Sequence, residues 1–190
     1  MGTTQYVALL RGVNVGGRNK LSMTDLRAAF EGQGFGAVAT YIQSGNVLFE
    51  SDVPPAALEA EVEGLLERRF GVPLVVVVRS HGQMREVVAK APPRFGAAPE
   101  TYHSDTVFLK APLTAARAML VVERREGVDQ AWPGPGVLYF ARLSERRTQS
   151  RMGKVVAKPE YQLMTIRSWT TTTKLVALLD GRTADGRQPG

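Results

Sequence analysis

The chain has 190 residues, 44% hydrophobic and 22% charged, enough to build one domain or two small ones. Cysteine is absent, which removes disulfides, thiolate nucleophiles and thiolate metal sites together. The net charge of +6 is uneven: +3 over residues 1–20, +6 over residues 141–190, and −3 between them.

Tyr6–Leu10 reads as a buried strand that stops at Arg11, before a glycine-rich basic loop. Ser22-Met23-Thr24-Asp25 is a near capping box for a helix with Met23, Leu26 and Phe30 on one face, ended by Gly32 and Gly34. Val38–Ser44 alternates loosely, and Gly45-Asn46 before Val47-Leu48-Phe49 suggests a hairpin with a two-residue loop. Pro54-Pro55 opens a second helix that buries Leu58, Val62, Leu65, Leu66 and Phe70 and stops at Gly71. Leu74–Val78 is a β-branched run expected inside a sheet. Ser80 and Gln83 form a capping box for a short linking helix.

The Pro/Gly-rich connector Ala91–Pro99 is the best boundary. Beyond it come a strand at Thr106–Leu109, a helix capped by Thr114, a weak strand near Val128–Trp132, a turn at Pro133–Gly136 and a strand at Val137–Phe140. The basic segment Ser144–Ala157 is expected to be helical. A short extended piece at Gln162–Ile166 precedes a last helix at Thr171–Leu179, capped by Thr170 or Thr171. The whole predicts an α+β fold of two ferredoxin-like β-α-β-β-α-β units in tandem with an extra C-terminal helix. The first unit with its linking helix spans residues 1–91 and the second residues 100–180. Residues 181–190 form a frayed tail.

In that topology the first strand-to-helix loop and the central hairpin lie at the same end of the sheet. Arg11, Asn14, Gly16, Gly17, Arg18 and Lys20 should therefore neighbour Gln43, Ser44 and Asn46, with the loop before Leu74 nearby. Glycines allow close backbone approach and the cations supply charge, as in an anion cradle. Gly12 and Gly17 have Walker A spacing, but Arg18-Asn19 replaces the Lys-Ser/Thr that binds phosphate and magnesium, which argues against nucleotide hydrolysis. Ordinary turn chemistry accounts equally well for Ser44, Gly45 and Asn46. At the C-terminal end, Arg167, Trp169 and Lys174 flank a threonine-rich helix start and could stack on and neutralise a base or phosphate. The alternative is that Trp169 simply packs. His81 and His103, the only histidines, show no metal-ligand spacing and read as surface or capping residues.

Val7-Ala8-Leu9-Leu10-Arg11-Gly12-Val13-Asn14-Val15-Gly16-Gly17-Arg18-Asn19-Lys20 and Thr40-Tyr41-Ile42-Gln43-Ser44-Gly45-Asn46-Val47 resemble the bacterial family called domain of unknown function 1697. The closing segment Thr165, Arg167, Ser168, Trp169, Thr170, Thr171, Lys174, Leu175 is similar to that family's Thr-x-Arg-Asn-Trp-Asn-Thr signature followed by Lys-Leu. Ser168 and Thr170 stand where the pattern has asparagine. The resemblance implies an α+β fold with ferredoxin-like parts and no particular activity.

Three functions fit these residues. The first is a cytoplasmic protein that binds a phosphate-bearing small molecule or nucleic acid, without cofactor, metal or membrane. No apolar run reaches the roughly 18 residues of a membrane span, and no basic-then-apolar leader marks the N-terminus. The second is a phosphohydrolase of acylphosphatase-like type, in which an arginine and backbone amides stabilise charge and Asn46 orients water. The third is an interaction module whose polar residues brace the fold. Arginine outnumbers lysine 18 to 6, as a GC-rich genome would also produce, so charge alone does not choose among them.

Overall fold

The computed structural model describes residues 3–14 and 20–185. It is mixed α+β, with two four-stranded antiparallel sheets in two units: residues 1–84 with 175–190, and residues 85–174. No helix among the described residues is long and apolar enough to cross a membrane.

In the first unit, β1 (Thr4–Leu10) is central, because Tyr6 to Leu10 are apolar on both faces and all buried. It pairs antiparallel with β3 (Asn46–Ser51) on one side and β4 (Val76–Ser80) on the other. β2 (Gly36–Tyr41) pairs with β3 at the outer edge, giving the order β2-β3-β1-β4. Helices α1 (Met23–Gly32) and α2 (Pro55–Phe70) cover one face. Leu26, Phe30, Leu58, Val62 and Leu66 pack there against Ala8, Leu10 and Phe49. Ser22 caps α1, its Oγ accepting the Asp25 N–H at 3.3 Å.

The edge strand β4 is covered by α2 in a way the apolar pattern does not reveal. Glu63 and Glu59, one turn apart on α2, accept the N–H groups of Val76 at 2.9 Å and Val78 at 3.0 Å. These carboxylates occupy donors that would otherwise invite another strand.

Two strand limits differ from expectation. The run expected at Leu74–Val78 becomes a strand at Val76–Ser80, because Leu74 and Val75 follow Pro73 as a lead-in. The hairpin turn is Ile42–Gly45, not Gly45-Asn46, and Tyr41 pairs with Asn46. Asn46 joins the strand because its side-chain amide donates back to the Tyr41 carbonyl at 3.0 Å.

α3 (His81–Ala89) carries the full capping box: the Gln83 N–H donates to Ser80 Oγ at 3.2 Å, and the Ser80 N–H donates to Gln83 Oε1 at 2.9 Å.

In the second unit, β5 (Tyr102–Leu109) is central between β7 (Val137–Leu143) and β8 (Met164–Ser168). β6 (Asp129–Gly134) lies at the edge, so the order is β6-β7-β5-β8. Pro133, expected in the turn, belongs to this edge strand, where its missing N–H costs least. α4 (Ala115–Val121) is capped by Thr114, whose Oγ1 accepts the Arg117 N–H at 3.2 Å. Val107, Leu109, Ala118, Leu138, Phe140 and Met164 form the core on that face.

The segment expected to be one helix at Ser144–Ala157 is instead a series of 3₁₀ turns: Ser144–Gln149, Met152–Ala157 and then Pro159–Leu163. Its buried contacts are few, Met152 and Val155, so nothing holds a continuous amphipathic helix in place. α5 (Trp169–Asp185) starts earlier and ends later than the expected Thr171–Leu179. Residues 181–185 of the expected tail are therefore helical, and residues 186–190 lie outside the described residues.

Candidate functional site

At one end of the first sheet the chain leaves β1 at Leu10 and returns at Leu21. Gly16, Gly17 and Arg18 lie outside the described residues, as do Val15 and Asn19, but both ends of the loop are defined. Asn14 ties them together. Its Oδ1 accepts the Leu21 N–H at 2.9 Å, and its Nδ2 donates to the Leu21 carbonyl at 3.0 Å. The same Nδ2 donates to the Gln43 carbonyl at 2.9 Å, joining the loop to the hairpin. Asn14 has φ +56°, a left-handed conformation that asparagine tolerates better than most residues.

Two backbone bonds complete this end. The Leu10 N–H donates to Gly45 at 2.8 Å, and the Arg11 N–H donates to Val75 at 2.9 Å. The first loop, the hairpin and the entry to β4 are thus neighbours, as the topology predicts. Gly45 has φ +74°, and a Cβ there would lie 2.9 Å from Leu10 Cβ, so glycine is required where the hairpin meets β1.

A shallow depression of about 480 Å³ opens here, lined by Asn14, Lys20, Leu21, Ser22 and Gln43. Lys20 and Gln43 are exposed, and Arg11 is half-buried. Ser22 is a lining residue that motif reading assigns only to capping; its place at the first turn of a helix beside a basic loop is the signal that could have found it. Asn46 has a different role from the one expected. It is fully buried, and its amide donates to Tyr41 and, at 2.9 Å, to Ser44 Oγ.

The C-terminal residues belong to the second unit and do not form one exposed face. Lys174 is exposed, and Arg167 is buried in β8. Burial pushes the Arg167 guanidinium down to about 10, and its Nη1 donates to the Ile166 carbonyl at 2.9 Å. Trp169 packs edge to face on Phe95, with centroids 5.0 Å apart, and Phe95 meets Tyr139 at 5.4 Å. A Cβ at Gly96 would run into the Trp169 indole, so the ring is seated against backbone.

The cap of α5 is Ser168, not Thr170 or Thr171: its Oγ accepts the Thr171 N–H at 3.1 Å. Thr172 and Thr173 donate their hydroxyls to the carbonyls of Ser168 and Trp169 at 3.0 and 3.1 Å. The threonine run therefore bonds largely to its own helix.

Both histidines have carboxylate partners: that of His81 is 99 residues away, whereas His103 and Asp105 are two apart on one face of β5. His81 Nε2 lies 2.7 Å from Asp180 Oδ1. His103 Nε2 lies 3.2 Å from Asp105 Oδ1, and Arg142 Nη2 donates to Asp105 Oδ2 at 3.0 Å. Asp105 is buried, and that burial raises its pKa, opposed by the charges of His103 and Arg142. No group of three or more His, Asp or Glu among the described residues is arranged to hold a metal.

Comparison with known proteins agrees with the fold. The profile of a family described as protein of unknown function, DUF1697, matches residues 3–139. The solved structure of conserved bacterial protein SP0830 from Streptococcus pneumoniae superimposes with a TM-score of 0.82 at 24% identity, over 94% of this chain and 99% of that one. That is a likeness of fold. An unknown protein from Galdieria sulphuraria reaches only 0.28 at 12% identity, over 88% of this chain and 98% of that one, which supports no comparison. No curated protein matches the chain.

Proposed function

The chain belongs to the DUF1697 family, and we propose that the basic end of its first unit binds a phosphate-bearing anion. The observation that carries this is the depression of about 480 Å³, with exposed Lys20 at its edge and the first turn of α1 beside it. The positive end of a helix dipole favours negative charge, and Arg11 and Arg18 belong to the same loop by sequence. Asn14 holds the loop mouth by bonds within the protein, so its role is to shape the site. Gln43 offers an exposed side chain from the hairpin.

We take each unit as ferredoxin-like, with the order second-third-first-fourth in both sheets. The second unit replaces its second crossover helix with 3₁₀ turns.

Titration calorimetry with pyrophosphate, and with single-stranded DNA and RNA, tests the proposal. Binding should weaken as salt rises, and Lys20→Ala and Arg18→Ala should each weaken it further. Absence of salt-dependent binding to any of these probes would sink it.

A second reading is favoured by the burial of Asn46 and the three bonds of Asn14. These signature residues brace a turn and a loop, as they would in an interaction module. The burial of Asn46 also removes the side chain that would orient water in an acylphosphatase-like reaction.

A further inference from the structure

The connector after α3 folds over the face of the second sheet opposite its α4 core and leaves a cavity of about 330 Å³. The floor is one row of residues across three strands. Ala141 of β7 lies between its register partners Ser104 of β5 and Gln130 of β6. The small alanine between longer neighbours makes the room. Trp132 and Tyr102 line the sides, and Arg94 and Phe95 of the connector lie over them.

The roof is held in place. Phe95 N–H donates to Pro92 at 3.0 Å and Ala97 N–H to Arg94 at 3.0 Å. Arg94 itself has φ +63°, unusual for a residue with a side chain, and strain of this kind gathers at ligand sites. Phe95 and Trp132 meet edge to face with centroids 6.0 Å apart, so the aromatic corner is rigid.

The chemistry of the lining is specific. Most of it is proline, alanine and aromatic surface, suited to a flat apolar body. Its polar residues include Ser104, Gln130 and Arg94, and no acidic residue among the described residues lines it. Ser104 is 8% exposed, and its Oγ has no hydrogen-bond partner among the described residues. That oxygen is itself closed off from the cavity, so Ser104 shapes the floor and offers a ligand no bond.

We propose that this cavity binds a planar aromatic acid of one or two rings. The ring lies against Phe95 and Trp132, over Ala141. The acid group meets Arg94 at the opening. The site lies wholly in the second unit and does not depend on anion binding at the first.

The test uses the full chain with 2-naphthoate and its neutral counterpart 2-naphthamide, read by calorimetry and by quenching of tryptophan fluorescence. Saturable binding of naphthoate is expected, with naphthamide weaker. Arg94→Gln changes an exposed side chain and should weaken naphthoate about fivefold or more while leaving naphthamide nearly unchanged. Ala141→Leu fills the floor and should abolish binding of both. No saturable binding of naphthoate, or naphthoate binding that Arg94→Gln leaves unaltered, would overturn the proposal.

Discussion

A hydrogen bond of 2.9 Å joins the Asn14 amide to the Gln43 carbonyl across 29 residues of sequence. With the two bonds to Leu21, it makes one side chain the fastening of loop to hairpin. Asn14→Gly keeps the left-handed backbone and loses three bonds, at a cost of about 2 kcal/mol. Asn14→Ala should cost about 1 kcal/mol more, because alanine resists φ +56°. Urea denaturation of the two variants checks the order. Equal stability of wild type and Asn14→Gly would show that the bonds contribute nothing.

The helical and strand framework of the first unit is legible in the sequence, because apolar periodicity and caps are local signals. Leu58, Val62 and Leu66 face the core as their spacing requires, and Ser22, Ser80 with Gln83, and Thr114 cap the helices that follow them. The neighbourhood of Asn14 and Gln43 follows from topology, although the bond itself does not. What escaped depends on tertiary partners. Ser144–Ala157 has the composition of a helix but little apolar surface to dock one. Asn46 looks like a loop residue until its amide turns back to Tyr41 and places it in the strand. Asp180 is unremarkable in sequence because His81, 99 residues away, reaches it only in the folded chain.

Glu63 and Glu59 accept the N–H groups of the edge strand β4. Glu63→Ala removes the acceptor of the buried Val76 N–H and should cost about 1–3 kcal/mol in chemical denaturation. Glu63→Gln keeps an oxygen at that position and should recover most of the loss. In the double variant Glu59→Ala/Glu63→Ala the edge is uncovered, and light scattering should show faster aggregation. A double variant as stable and as soluble as wild type would show that the carboxylates only decorate the edge.

Asp105 links protonation to stability. Burial is the largest influence and raises its pKa above the ordinary 3.8, while His103 and Arg142 face the carboxylate and oppose the shift. In the window just above pH 3.8 the folded chain holds a proton that the unfolded chain has lost. The contribution of Asp105 to stability therefore falls as pH rises through that window and is recovered on acidification. Asn does not titrate. Relative to Asp105→Asn, wild type should be more stable near pH 4 than at pH 6, as read by melting temperatures in matched buffers. A difference that is flat, or that grows with pH, would contradict the raised pKa.

Tyr139 is fully buried and donates its hydroxyl to the Val87 carbonyl at 2.6 Å. Burial first, and then the charge of Glu86, push the phenol up to about 12. Between the ordinary value of 10 and about 12 the folded chain keeps a proton that the unfolded chain releases. Stability contributed by this group is thus complete below pH 10 and is lost as pH rises toward 12. Tyr139→Phe should be less stable than wild type at pH 8 by about 1 kcal/mol, the net worth of one hydrogen bond. That gap should narrow above pH 10 in urea denaturation, because phenylalanine has no proton to lose. Absorbance at about 295 nm provides a second reading: the late tyrosinate step of wild type should vanish in the variant. If the step lost in Tyr139→Phe lies near 10 instead, the phenol is not held protonated by its surroundings.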